Sequence, residues 1–265
     1  MFTIQQLVQP DTLEEAYDVL TRDISNTILG GCAFLRLGSK KIGTAIDLSK
    51  LNLNGIKEQG DFIEIGAMTT FRDLEISPVL KESFNGVLPQ SVSHIIGVQF
   101  RNIVTVGATV YSKFGFSDLL TALLALDTDV ELYKAGRMPL AEFLEKSPQR
   151  DILTRVFIKK NSCKAVYKDL RNSQSDFPVL NVAVSQKDDR WRVVVGARPL
   201  RAQISQQASE ELSQGGASPA GIASAARLAA EELSFGSNIR GSAEYRKAMC
   251  KVLVERAVTE VLQCK

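Results

Sequence analysis

Two glycine turns, set far apart in the chain, carry the groups best suited to chemistry. The first is Gly30-Gly31, placed directly after the apolar run Thr27-Ile28-Leu29. The second lies within residues 96–109, where Gly97 and Gly107 bracket the polar cluster Gln99, Arg101 and Asn102. There the β-branched run 103–106 reads as a buried strand leading into Gly107. Glycine has no Cβ, so backbone N–H groups beside it can approach an anion closely. A plain strand and turn accounts for either segment alone, whereas two such turns together can face one phosphate-bearing ligand. Gly30-Gly31 is not part of a G-x-G-x-x-G, so the dinucleotide fingerprint is absent.

Other reactive side chains are sparse. Cys32, Cys163, Cys250 and Cys264 form no C-x-x-C pair, which argues against a zinc or iron–sulfur site in this chain and for free, reduced thiols. His94 is the single histidine, so no pair of imidazole ligands exists and any Ser-His-Asp chemistry would rest on it alone. Neither a catalytic acid–base residue nor a metal ligand is nominated. Lys and Arg number 32 against 30 Asp and Glu, with no long basic run, so nothing calls for nucleic acid or an anionic membrane. No window approaches the roughly 18 apolar residues of a membrane span, and no secretory signal is visible, which makes a cytoplasmic location the expectation.

The elements that must position the turns follow from pattern. Asp11 with Glu14 reads as the start of a first helix, and residues 27–29 and 44–48 as strands, giving a small α/β unit over residues 1–55. Residues 56–160 read as a mixed-sheet unit: strands near 62–67, 130–133 and 152–158, a helix capped by Thr70, a buried helix from Asp118 to Leu126, and a short helix at 140–144. In the last unit, 161–265, residues 179–184 and 191–197 form an antiparallel pair around the turn at 187–190. Three helices follow, near 203–212, 219–233 and 242–262.

In this order the motifs resemble the FAD-binding (medium) flavoprotein subunit of the molybdenum hydroxylases, the family of xanthine dehydrogenase and carbon monoxide dehydrogenase. The carriers are Leu29-Gly30-Gly31, the run 65–70 (Ile-Gly-Ala-Met-Thr-Thr), residues 96–102 with Thr105-Val106-Gly107, Asp118 with 123–127, and residues 240–246 (Arg-Gly-Ser-Ala-Glu-Tyr-Arg). The resemblance spans nearly the whole chain. It implies an α+β fold, with a two-part FAD-binding domain of the PCMH or vanillyl-alcohol-oxidase type. A C-terminal domain of three-stranded antiparallel sheet with a helical bundle would follow.

The resemblance also implies that both turns bind the FAD pyrophosphate through backbone N–H groups, which suits inward-pointing amides around an anion. Leu29, Gly30, Gly31, Cys32, Ala33 and Phe34 come from the first turn, and Thr105, Gly107, Ala108, Thr109 and Ser112 from the second. Asp118 either caps the helix that follows it or, by resemblance, contacts the adenosine part of the cofactor. Ile152 and Leu153 match apolar residues near the flavin, and Lys168 is either a solvated lysine or a cation that would stabilise reduced, anionic flavin. A bulky residue at Gly107 is then expected to empty the site without unfolding the chain.

The family usually has Thr-x-Gly-Gly-Asn in the second turn, and this chain has Thr105-Val106-Gly107-Ala108-Thr109. Cys32-Ala33-Phe34 follows the first turn in place of a small hydroxyl residue, and Ser-Pro is missing before Asp118. The resemblance implies electron flow from a molybdopterin subunit through an iron–sulfur subunit to FAD and then to NAD or another acceptor. Both metal centres would sit on partner chains. Two alternatives stand beside it: a structural or assembly subunit without FAD, and an unrelated nucleotide-binding transferase.

Overall fold

The computed structural model describes residues 1–147 and 150–264. In chain order the elements are β1 (Thr3–Val8), α1 (Leu13–Arg22), β2 (Thr27–Leu29), β3 (Lys41–Asp47), β4 (Ile56–Gln59), β5 (Phe62–Gly66), α2 (Phe71–Ile76), α3 (Pro78–Glu82), α4 (Val87–Ser93), α5 (Val98–Arg101) and α6 (Val106–Ser112). There follow α7 (Asp118–Ala125), β6 (Thr128–Leu132), β7 (Gly136–Pro139), α8 (Leu140–Glu145), β8 (Leu153–Lys159), β9 (Lys164–Arg171), β10 (Pro178–Lys187), β11 (Arg190–Gly196), β12 (Gln203–Ser205), α9 (Gln206–Gly215), α10 (Pro219–Glu232) and α11 (Ala243–Gln263).

Two compact units form. One gathers residues 1–74, 98–112 and 128–158; the other gathers 75–97, 113–127 and 159–265. The first unit holds a parallel sheet of order β1-β3-β2 and a five-stranded sheet of order β4-β5-β8-β6-β7. Helix α1 lays Ala16 and Leu20 against Ile46 of β3, Leu48 and Leu53, and Ile152, the residue just before β8. Its cap is Thr12, whose hydroxyl accepts the Glu15 amide, while the Glu15 carboxylate accepts the Asp11 amide. The capping box thus sits one residue later than Asp11 and Glu14 suggest, because Asp11 offers its backbone and not its side chain.

Residues 103–106 do not form the expected strand. Val104 and Val106 are buried, but their backbone makes only a one-residue bridge, Thr70 to Thr105. The Phe71 amide donates to the Val104 carbonyl and the Val106 amide to the Thr69 carbonyl, both at 2.9 Å, and helix α6 begins at once. A β-branched run is here a packed turn between two short helices.

In the second unit the three long antiparallel strands β9, β10 and β11 are present, with the three-residue β12 added at the β11 edge, so the sheet has four strands where three are expected. Gln203 to Ser205 is that fourth strand, and α9 starts only at Gln206, capped by the Ser205 hydroxyl. One face of the sheet packs on α9, α10 and α11, where Ala225, Ala226, Ala229 and Ala230 let helices approach closely against Val182, Val184, Val193 and Val195. Helix α7 belongs to this unit and is buried along its whole length, as its apolar sequence requires.

Candidate functional site

Strand β2 delivers the first glycine turn into a cleft of about 360 Å³ within the first unit. Its walls include Ile28, Leu29 and Gly30 from this turn, Ala67 and Met68, Thr105, Gly107, Ala108, Tyr111 and Ser112 from α6 and its approach, and Ile152 and Leu153 at the start of β8. The structure therefore brings together eight of the expected residues, namely Leu29, Gly30, Thr105, Gly107, Ala108, Ser112, Ile152 and Leu153. The two turns, 75 residues apart, are in contact: a Cβ added at Gly30 would lie 2.5 Å from the Ala108 Cβ and 3.1 Å from the Thr105 Oγ1.

Gly31 sits behind Gly30 with φ +77°, and a Cβ there would overlap the Ile103 carbonyl oxygen. Cys32 continues the left-handed backbone at φ 59°, an uncommon conformation for a residue with a side chain. Among the described residues the amides of Gly31, Cys32 and Ala33 have no hydrogen-bond acceptor. Successive unbonded N–H groups in a tight turn provide positive partial charge to an anion. Burial, with Asp47 beside it, pushes the Cys32 thiol up, so Cys32 acts as a small neutral side chain and not as a thiolate. Ala33 is buried and Phe34 half-buried where the chain enters a short 3₁₀ turn at Leu35–Leu37.

The second turn behaves differently from the expectation. The Gly107 amide donates to the Ala67 carbonyl at 2.7 Å, the Ala108 amide reaches the Thr105 Oγ1 at 3.3 Å, and the Thr109 amide donates to the Thr105 carbonyl at 3.2 Å. The Thr109 hydroxyl also donates to the Thr105 carbonyl, at 3.0 Å. These N–H groups are spent on the chain itself. Gly107 is small because Ala67 crosses it: a Cβ there would stand 2.7 Å from the Ala67 Cβ and 2.8 Å from its carbonyl oxygen. A bulky residue at 107 would push apart α6 and the 67–69 segment, so it would not empty the cleft without disturbing the fold.

Lys40, Thr27, Arg150 and Asp151 also line the cleft, and sequence reasoning passed over them. Arg150 donates to the carbonyl oxygens of Leu20, Asp23, Ile24 and Asn26 at 2.5–3.1 Å, closing off the end of α1 where carbonyls lack helical partners. Asp151 is 4% exposed and accepts the amides of Lys134, Ala135 and Ile152. The sequence signal was available: an Arg-Asp pair directly before the apolar Ile152-Leu153.

Asp118 and Lys168 belong to the second unit. Ser117, not Asp118, caps α7, its hydroxyl accepting the Leu120 amide at 3.2 Å. The Asp118 Oδ1 instead accepts from the Tyr167 hydroxyl, from Arg171 Nη2 at 2.6 Å and from Asn181 Nδ2 at 3.2 Å. Burial pushes the Asp118 carboxyl up to about 6, against the opposing pull of Arg171, Tyr167 and Asn181. The same burial and the neighbouring Asp118 hold the Tyr167 phenol far above its ordinary range. Lys168 pairs with Glu260 of α11 at 2.5 Å, and Lys164, four residues earlier on β9, donates to the Cys264 carbonyl at 2.6 Å.

A family model described as the FAD binding domain in molybdopterin dehydrogenase matches residues 2–160. One for the CO dehydrogenase flavoprotein C-terminal domain matches residues 165–261. The chain is 27% identical over 269 residues to the nicotine 6-hydroxylase medium subunit of Paenarthrobacter nicotinovorans, covering 95% of each. It is 24% identical over 283 residues to the glyceraldehyde dehydrogenase medium chain of Sulfolobus acidocaldarius, covering 96% of this chain and 97% of that one. Among solved structures, a chain of reconstituted CO dehydrogenase from Oligotropha carboxidovorans aligns with a TM-score of 0.89 at 21% identity, over 98% of this chain and 97% of that chain. A chain of carbon monoxide dehydrogenase from Hydrogenophaga pseudoflava gives 0.88 at 21% identity, covering 97% of both. At that identity the likeness is one of fold.

Proposed function

Because the chain belongs to the FAD-binding family of the molybdopterin dehydrogenases, whose members are flavoprotein components of oxidoreductases, we propose that it relays electrons within a multi-subunit molybdenum hydroxylase. In that role a partner carrying iron–sulfur clusters feeds it from a molybdopterin subunit, and NAD or another soluble acceptor takes the electrons away. The relatives named as medium subunit and medium chain support a heteromeric assembly.

The observation that carries the proposal is the meeting of Gly30 with Thr105 and Ala108 at a cleft whose first turn offers unbonded amides. The residues present fit FAD. The unbonded amides of 31–33, in the turn that continues from the cleft-lining Gly30, would hold the pyrophosphate, and Leu29, Met68, Ile152 and Leu153 would supply apolar contact to a ring system. FAD, when bound, supplies two-electron exchange with a hydride acceptor and one-electron exchange with clusters. The chain orients it and excludes water; no proton-transfer residue is required of it. Asp118, buried and bonded to Tyr167, Arg171 and Asn181, and Lys168, paired with Glu260, belong to the second unit and are not among the residues that line this cleft.

Ala108 favours the second reading, a subunit without FAD, because its methyl closes the gap to Gly30. The two readings separate on isolation of the native complex through a tag on this chain. The electron-transfer proposal expects co-elution with an iron–sulfur chain and a molybdopterin chain, with flavin absorbance bleached by the substrate of the complex or by NADH. The same complex without flavin would establish the structural role.

A further inference from the structure

We propose that Lys40 is the countercharge for the phosphates of the ligand in the first unit's cleft, an inference that rests on FAD being that ligand. A pyrophosphate brings two negative charges, and backbone amides alone neutralise them only in part. The second turn contributes little, since the amides of Val106, Gly107, Ala108 and Thr109 are all bonded within the chain. Charge must come from the cations that line the cleft, Arg150 and Lys40.

Arg150 is committed. Its Nε, Nη1 and Nη2 donate to four backbone carbonyls at the end of α1, and turning it toward a ligand would leave those carbonyls without partners. Lys40 is in the opposite position. Its ammonium has three donors, and among the described residues its one acceptor is the Thr27 hydroxyl at 2.7 Å, with no carboxylate in reach. Thr27 opens β2, the strand that runs into Gly30, so the ammonium is tethered at the start of that strand, roughly 10 Å before the turn, and it swings along the cleft that Lys40 and Gly30 both line to meet the phosphates. Lys40 is also exposed, so moving it onto an anion costs little desolvation and breaks only a bond to a hydroxyl that water can replace.

The test is FAD binding to the full chain stripped of flavin, followed by quenching of flavin fluorescence, for wild type, Lys40→Arg, Lys40→Met and Lys40→Glu. The expected order follows charge. Lys40→Arg stays within about twofold of wild type, Lys40→Met loses about tenfold, equivalent to roughly 1.4 kcal/mol, and Lys40→Glu loses more. Raising salt from about 0.05 to 0.5 M should erode wild-type affinity and leave Lys40→Met much less affected. Unliganded melting temperatures should stay equal, since Lys40 holds no buried contact. Equal affinity in wild type and Lys40→Met overturns the proposal, as does an equal loss in Lys40→Arg and Lys40→Met, which would make the effect one of shape. A wild-type chain that takes up no FAD overturns this proposal together with the electron-transfer reading, whereas wild-type binding with a flat variant series overturns this one alone.

Discussion

At Gly31 the Ile103 carbonyl oxygen fills the place of a Cβ and excludes a side chain, and the backbone φ of +77° adds strain for any residue but glycine. Gly31→Ala should therefore cost about 3 kcal/mol or more, combining left-handed strain with a backbone clash, and chemical denaturation would read it. Ala108 is the softer position. Ala108→Gly removes the methyl that meets Gly30 and should tighten FAD binding, while costing up to about 1 kcal/mol of helix stability in α6. Tighter binding alongside a lower melting temperature is the expected pair of results, and unchanged affinity would mean that the methyl does not obstruct the ligand. Asp118 gives a pH signature. Its folded carboxyl titrates near 6, above an ordinary aspartate at about 3.9. Across that interval the folded chain keeps a proton that the unfolded chain has lost, so this group makes stability fall as pH rises from about 4 to 6. Melting temperature against pH should show this downward contribution in wild type and lose it in Asp118→Asn; parallel profiles would contradict it. Glycines and departures from the family pattern were legible as residues. That the Gly107 amide is spent on Ala67 was not, because a backbone acceptor 40 residues away leaves no mark in composition.

Among elements, helices with strong caps and apolar stripes were read nearly to the residue. Ser218 with Pro219 opens α10, and Ser242 opens α11, its hydroxyl accepting the Tyr245 amide at 3.1 Å. Ser242→Ala should cost about 1 kcal/mol. Arg246 on α11 is fully buried, and its guanidinium donates to the carbonyls of Val179, Gly236 and Gly241 and to the Asn238 Oδ1. Lysine cannot reproduce that planar fork, so Arg246→Lys should speed amide exchange across residues 236–241, read by hydrogen exchange. The elements missed were those set by distant partners. Strand β1 is solvent-exposed along nearly all of its length and pairs in parallel with β3, some 38 residues away, so it shows no alternation to read. Residues 103–106 mimic a strand because Val104 and Val106 pack inward, yet the bridge to Thr70 is one residue long. Strand β12 is too short to interrupt a helical pattern on paper.

For the molecule as a whole, the order of parts was legible because the family motifs are spread along nearly the entire chain, and the family models match residues 2–160 and 165–261. The grouping of 75–97 and 113–127 with the C-terminal residues was not legible, since it depends on α4 and α7 packing on β9 and β10. No helix among the described residues is long and apolar enough to cross a membrane. Whether this chain holds FAD is read most directly from the flavin content of the purified chain. Oxidised-flavin absorbance approaching one FAD per chain is expected, lost on adding a reductant, with FAD itself released on denaturation. A folded, colourless chain that also fails to take up added FAD would contradict this expectation.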